Sequence, residues 1–238
     1  MQHVPVHTAQ MQQWLLCPGD WVEPPNQRRG GLSGVQRVQL DDGRLLYRKQ
    51  QVGHLYHSWR HPLGYPTLMR ERDALYDCLR LGVPVPPLLL AQCARQAGQW
   101  HAWLVTADLT GFASLEQCYA EQRERGWGTE RHAQILECLG RAVGRLNGAR
   151  RQHGCLYPKH LFVSLADGPP NVALIDLEKS RRRLTRAQAA RHDLQQLWRR
   201  CGWRGAMWQA FLRGYRYSYG PLPRLPAALR DAGLDVNA

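Results

Sequence analysis

His153-Gly154-Cys155-Leu156-Tyr157-Pro158-Lys159-His160-Leu161-Phe162-Val163 is the stretch on which the fold assignment rests. Upstream of it, Arg131–Arg151 carries Ile135, Leu139, Val143 and Leu146 on one face at helical spacing. Downstream, the apolar runs Leu161–Leu165 and Val172–Ile175 flank Asp167-Gly168-Pro169-Pro170, which predicts a small hairpin embedded among helices. The second run ends in Leu174-Ile175-Asp176-Leu177-Glu178, an apolar strand finishing in carboxylates. A polar loop entered from a long helix and leaving straight into a strand presents side chains on a rigid scaffold.

Working outward, Arg186–Cys201 and Arg204–Tyr215 have helical spacing, and the tail from Pro221 is proline-rich. Toward the N-terminus, Val35–Leu40 and Arg44–Lys49 alternate around Asp41-Asp42-Gly43 and predict a hairpin. The basic, glycine-containing segment Arg28-Arg29-Gly30-Gly31-Leu32-Ser33-Gly34 leads into it. Gln51 to Tyr65 is irregular. Pro66-Thr67 then opens a helix over Leu68–Leu81, ended by Gly82, Pro84, Pro86 and Pro87. Leu88–Cys93 and Trp100–Thr106 read as a second strand pair around Gln96-Ala97-Gly98. The fold class is therefore α+β. Residues 1–107 form an antiparallel-sheet lobe carrying one helix, and 108–238 form a mainly helical lobe. A hinge near Ala107–Gly111 leaves a cleft between them.

Composition narrows the functional classes. The apolar share of 44% over 238 residues supports a packed core. No stretch approaches the roughly 20 apolar residues of a membrane-spanning helix, and the N-terminus lacks a basic region followed by an apolar block. A cytoplasmic location is expected. The seven scattered cysteines form no C-x-x-C pair, which argues against a disulfide framework or a zinc cluster. Thirty-two Lys and Arg against 19 Asp and Glu give a net charge of +13, a field that attracts nucleotides, anionic lipid headgroups or phosphorylated substrates. No helix-turn-helix or zinc-finger pattern accompanies the charge, so no specific nucleic acid partner is expected. Nothing in the sequence reads out an oligomeric state.

Moving a phosphoryl group from ATP requires a lid over the phosphates, a cation on them and a carboxylate holding that cation. It also requires metal ligands and usually a base at the acceptor hydroxyl. Candidates occur in that order. Gly30, Gly31, Ser33 and Gly34 would let backbone approach phosphates. Lys49 ends the strand Leu46-Tyr47-Arg48-Lys49, and Glu71 lies in the next helix. The loop from His153 has the layout H-x-D-x-x-x-x-N of a kinase catalytic loop, and Asp176 ends the strand where a kinase places its main magnesium ligand.

These stretches, together with Glu23–Val35, Tyr47-Arg48-Lys49-Gln50, Gly64-Tyr65-Pro66-Thr67 and Leu174–Arg182, resemble the lipopolysaccharide kinase family. The branch they resemble is the InaA-type one, in a family that includes the Kdo and heptose kinases. The resemblance spans about residues 20 to 200. It implies a two-lobed protein-kinase-like fold, ATP and Mg as cofactors, and phosphorylation of an inner core sugar of the lipopolysaccharide glycolipid. The chain would then work at the anionic surface of the inner leaflet as a peripheral protein. By position, Lys49 would hold phosphates, Glu71 would anchor Lys49, and His160 and Asp176 would bind the metal. His153 and Cys155 would stand in the catalytic loop, and Asp193 resembles the aspartate that braces that loop through its backbone.

Cys155 departs from the pattern, which has aspartate there. A thiol is uncharged at neutral pH unless its pKa is lowered, and it is a poor proton acceptor. Three outcomes stay open: transfer without a base, a substitute carboxylate such as Glu178 or Asp167, or a pseudokinase that binds without transfer. Other features have plainer readings. His54, His57 and His61 read as surface or loop histidines, and Trp198, Trp203 and Trp208 as core anchors. Arg181-Arg182-Arg183 with Arg186 is equally a solvated run or a receptor for a phosphorylated acceptor.

Overall fold

A computed structural model of the chain describes residues 8–28, 31–59, 61–224 and 229. It divides into two compact units, Met1–Asp73 with Pro86–Leu109, and Ala74–Val85 with Thr110–Ala238. The second unit thus takes in residues 74–85, which the sequence boundary at 107 leaves with the first.

The first unit contains α1 (Thr8–Leu16), β1 (Asp20–Trp21), β2 (Asn26–Arg28), β3 (Gly31–Gln39), β4 (Leu45–Val52), β5 (Leu55–Ser58) and β6 (His61–Pro66). The start of α2 (Leu68–Arg80), β7 (Leu88–Gln96) and β8 (Gln99–Ala107) complete it. Its main sheet has six antiparallel strands in the order β1-β3-β4-β8-β7, with β2 paired to β3, while β5 and β6 form a hairpin of their own. The β7–β8 turn is carried by Ala97 and Gly98, both at positive φ (46° and 80°), as the mirror-image turns of tight hairpins require. Alternation along β3 and β4 turns Val38 and Leu46 to one face, where they pack with Leu40, Val105 and Trp14 of α1. Each such side chain contributes about 1.5–3 kcal/mol on burial.

Neighbouring residues of a strand face opposite ways, and in β4 this sets the chemistry. Arg48, 4% exposed, turns toward α1 and donates to the carbonyls of Trp14, Leu15 and Cys17 at 3.1, 2.6 and 3.0 Å, satisfying the helix C-terminus. Lys49 turns the other way, toward α2. Gln51, two residues on, shares that face, and its Oε1 accepts from Thr67 Oγ1 (2.8 Å) and Leu68 N (2.9 Å), holding the start of α2.

The second unit contains β9 (Phe112–Ser114), α3 (Leu115–Ala120), α4 (Gly128–Gly148), β10 (Arg151–Gln152), β11 (Leu161–Ser164) and β12 (Val172–Leu174). β13 (Arg181–Arg182), α5 (Arg186–Cys201) and α6 (Gly205–Tyr219) follow. Helices α4 and α6 pack closely: a Cβ on Gly140 would collide with the Phe211 carbonyl, and one on Gly214 with that of Glu137. Trp203, Trp208, Phe211 and Tyr215 are almost wholly buried and form a continuous aromatic column. Helix α5 has the bounds expected from sequence because both ends are capped locally. Thr185 and Gln188 form a reciprocal capping box, and Gly202 follows in the left-handed conformation.

Strands β9, β11 and β12 form a small sheet in which Leu161 faces Leu174. The register brings His160, just before β11, and Asp176, just after β12, to the same end of the hairpin. Asp167 lies in the turn at the opposite end.

Candidate active site

In the first unit, the Lys49 ammonium lies 2.6 and 2.8 Å from the two carboxylate oxygens of Glu71. Glu71 comes from the first turn of α2, where a carboxylate also suits the helix dipole, and its side chain is only 5% exposed. Lys49 is partly accessible, so a buried carboxylate holds an ammonium that a ligand can still reach. The glycine segment is a β2–β3 hairpin, with Arg28 facing Gly31 and Asn26 facing Ser33. Gly30 lies outside the described residues. Gly31 and Gly34 sit inside β3, where the ring of His54 covers the first and that of Trp21 the second. Their lack of a side chain serves this cross-strand packing.

The second unit builds the loop expected at His153–Val163. Asp193, fully buried in α5, accepts from the backbone N–H of His153 (2.7 Å) and Gly154 (3.1 Å). The amide of Asn147 donates to Asp193 Oδ2 at 2.8 Å, and the Tyr215 hydroxyl donates to Asn147 Oδ1 at 3.0 Å. Gln196 grips the next residues, accepting from Leu156 N (2.6 Å) and donating to the Gly154 carbonyl (3.3 Å) and the Tyr157 hydroxyl (3.1 Å). Three helices thus deliver one buried polar network to one loop. Such a network fixes geometry because every unmade bond in it costs desolvation.

The loop positions His160. Its Nδ1 lies 2.6 Å from the Cys155 carbonyl oxygen, so Nδ1 carries the proton and donates it there. Its Nε2 lies 3.2 Å from Asp176 Oδ2. A histidine with Nδ1 tied to a carbonyl and Nε2 turned to a carboxylate has the form of a metal ligand with its supporting hydrogen bond. Asp176 adopts φ +59°, a left-handed conformation unusual for a residue with a side chain. That observed strain, about 1–3 kcal/mol, is characteristic of functional positions. Among the described residues no three His, Cys, Asp or Glu side chains converge on a metal position. A hard cation here would take an oxygen from Asp176 and fill its remaining positions with phosphate and water oxygens, as magnesium does. The imidazole of His160 is a softer second donor.

His153 is fully enclosed, and its pKa is pushed down to about 4, first by burial and further by His160, against the pull of Asp193. It is a neutral ring stacked on His160, its Nδ1 accepting from Cys155 N at 3.3 Å. Its contribution is to hold the loop. Cys155 is 4% exposed. Burial pushes its thiol pKa up, and Lys179 beside it opposes the shift without reversing it. The side chain at the base position is therefore an uncharged thiol.

Sequence reasoning missed Asn147, Gln196 and the acid that organises the arginines. Asn147 carried a signal, a polar residue beside the apolar stripe of α4, whereas Gln196 carried none. Asp77 of α2 receives Arg151, Arg182 and Arg80 together. Burial pushes its carboxyl up, but hydrogen bonds from Arg182 and Arg151 and the charge of Arg151 outweigh that and hold it down at about 2. Arg183 donates to Gln152 Oε1, and Arg186 donates to the Tyr219 carbonyl and lies over that ring. Of the cluster offered as an acceptor site, Arg182, Arg183 and Arg186 are thus engaged within the fold.

A family model described as the lipopolysaccharide kinase (Kdo/WaaP) family matches residues 12–215. The chain belongs to that family. Protein InaA of Escherichia coli (strain K12) is 41% identical over 184 residues, 77% of this chain and 84% of InaA. Among solved structures, WaaP in complex with acyl carrier protein matches with a TM-score of 0.66 at 21% identity, covering 87% of this chain and 81% of that one. The latter likeness is one of fold, and it bears out the α+β protein-kinase-like class expected from the sequence. As a Kdo/WaaP kinase the chain is a phosphotransferase.

Within this lipopolysaccharide kinase, Asp167 is ruled out as a substitute base. It is exposed in the β11–β12 turn, whose carbonyls of Ala166 and Gly168 are held by Arg131, at the far end of the hairpin from Asp176. Glu178, half-buried and electrostatically coupled to Cys155, is the carboxylate of the original pair that lies near the loop. Among the described residues no helix is long and apolar enough to cross a membrane.

Proposed function

We propose that this kinase transfers the γ-phosphoryl group of ATP to a hydroxyl of an inner core sugar, heptose or Kdo, of lipopolysaccharide. Lys49, held by Glu71, takes the α- and β-phosphates. Asp176, with His160, takes the magnesium, which neutralises charge on the phosphates when bound. The acceptor oxygen forms a bond to the γ-phosphorus as the bond to the β–γ bridging oxygen breaks and ADP leaves with that electron pair. The hydroxyl proton passes to Glu178 or to water. A loose transition state demands positioning and charge more than a strong base, so an uncharged Cys155 slows the reaction without abolishing it.

The observation that carries this reading is the His160–Asp176 pair, held by a loop that three helices brace. A domain with no use for a metal-bound nucleotide has no need to keep a strained aspartate beside an oriented imidazole. The test is transfer of labelled γ-phosphate to purified core glycolipid in ATP and magnesium. Wild-type transfer that disappears in Asp176→Ala supports the reading; equal rates in both sink it.

One observation favours a second reading, a pseudokinase: the raised pKa of Cys155, which leaves the loop without a base. On that reading wild type transfers nothing, Cys155→Asp restores transfer, and Mg-ATP still raises the melting temperature.

A cytoplasmic location with peripheral attachment to the anionic inner leaflet accompanies the favoured reading. It is supported by the charge of +13 and by Trp59 and Leu63, 84% and 81% exposed on the β5–β6 hairpin.

A further inference from the structure

The arginines that the sequence offered for an acidic acceptor are mostly committed within the fold, and a different basic cluster stands beside the catalytic loop. His192, Gln195, Gln196, Arg199 and Arg200 recur at i, i+3, i+4, i+7 and i+8 along one face of α5. With Tyr157 they line a hollow of about 220 Å³. Tyr157 is two residues from Cys155, and Gln196 is the residue that grips the loop backbone at Gly154 and Leu156. One wall of the hollow is therefore the catalytic loop itself.

We propose that this hollow binds a phosphate group carried by the acceptor saccharide. Tyr157, Gln195, Arg199 and Arg200 can each donate a hydrogen bond into the hollow, Gln196 is spent on the loop, and no lining side chain is a carboxylate. Arg199 and Arg200 are exposed, and among the described residues neither makes an ion pair, unlike Arg80, Arg151 and Arg182, which share Asp77. Arg200 lies over the Tyr157 ring, 5.4 Å from its centroid, so its guanidinium is already oriented. His192 Nδ1 faces Asp193 Oδ1 at 3.3 Å, so the ring's N–H is spent on that carboxylate and the ring serves as a wall of the hollow. The plainer role for two arginines in the last turn of a helix is to complement its dipole. That role explains their charge but neither the Gln195 amide one turn earlier nor the hollow they enclose. The volume lies below the roughly 300–1,000 Å³ of drug-sized sites and suits the acidic end of a sugar rather than the whole acceptor. Paired guanidiniums grip phosphate in a forked, charge-assisted geometry that a neutral hydroxyl cannot reproduce.

The identity of the ligand as an acceptor rests on the sugar-kinase reading, so the test has two independent arms. In the first, glucose 1-phosphate and glucose are titrated calorimetrically into wild type and into Arg199→Gln/Arg200→Gln without nucleotide. The sugar phosphate should bind wild type and lose about tenfold or more in affinity in the variant, while glucose binds neither. Arg199→Glu, an exposed change that leaves the fold's ion pairs intact, should abolish binding. Equal affinity of the sugar phosphate for wild type and both variants overturns the proposal. In the second arm, the double variant should raise KM for phosphorylated core glycolipid about tenfold or more while KM for ATP holds. With phosphatase-treated acceptor, wild type and variant should match. Loss of discrimination in the first arm alone ends the subsite and leaves the kinase standing. Absence of transfer by wild type, with the first arm intact, ends the kinase reading and leaves the subsite.

Discussion

Lys49 belongs to the first unit and Cys155 to the second, and they are provided for differently. Lys49 projects from an inner strand with both oxygens of Glu71 on its ammonium. Cys155 presents an uncharged thiol, although the loop around it is well supported: Asp193 and Gln196 bond its backbone, and Asn147 holds Asp193. Charge is thus maintained at the proposed phosphate and metal ligands and missing at the position of the proposed base. On the proposed reading, the contrast teaches that positioning and charge neutralisation constrain this architecture more tightly than general-base catalysis does, as a loose phosphoryl-transfer transition state leads one to expect.

The largest expected effect comes from removing the proposed metal ligand. Asp176→Ala should lower transfer about a thousandfold or more, measured with labelled ATP, while circular dichroism stays unchanged. Lys49→Ala should follow at about a hundredfold, with the loss shared between kcat and KM for ATP, because one cation on the phosphates is gone. If Lys49→Ala cost nothing while Asp176→Ala abolished transfer, the two units would not be equal partners in the chemistry. Asp193→Ala leaves two backbone N–H groups and the Asn147 amide without their acceptor. It should cost about 3–5 kcal/mol by urea unfolding and remove activity with it.

Cys155→Asp sharpens the contrast directly. Supplying the missing carboxylate should raise transfer about tenfold to a hundredfold, whereas Cys155→Ser should leave it within about twofold. A fall in Cys155→Asp would mean the pocket is built for a thiol. The smallest effect is acid sensitivity at Asp77. Its folded pKa of about 2 lies below the ordinary 3.8, so its stabilisation is complete above pH 3.8 and is lost as pH falls through 2. Unfolding free energy should drop by about 2 kcal/mol across that window, and the slope should vanish in Asp77→Asn.

What was legible in the sequence was what local chemistry specifies. The β3–β4 and β7–β8 hairpins announced themselves by their turn residues, and α5 by its helical spacing. The elements that escaped notice depend on distant partners. Helix α1 is completed by Arg48, more than 30 residues away. The two-residue strands β10 and β13 pair across the catalytic loop. The hairpin of β5 and β6 is irregular in register between Tyr56 and Ser58, which breaks the alternation that would have revealed it. The site divides the same way. The Lys49–Glu71 and His160–Asp176 pairs join residues that stand out in the sequence by their positions near strand and helix ends. The glycines of β3 could not be told apart as ligand-facing or packing residues until Trp21 and His54 were seen lying over them.

The chain of contacts from the Tyr215 hydroxyl through Asn147 to Asp193 has a genetic consequence. A phenylalanine in place of Tyr215 removes one oxygen from the middle of a helical core, and a screen for folded, soluble protein would pass it. The lesion would surface instead as slow turnover, so substitutions that look silent by abundance belong in any survey of what disables this enzyme.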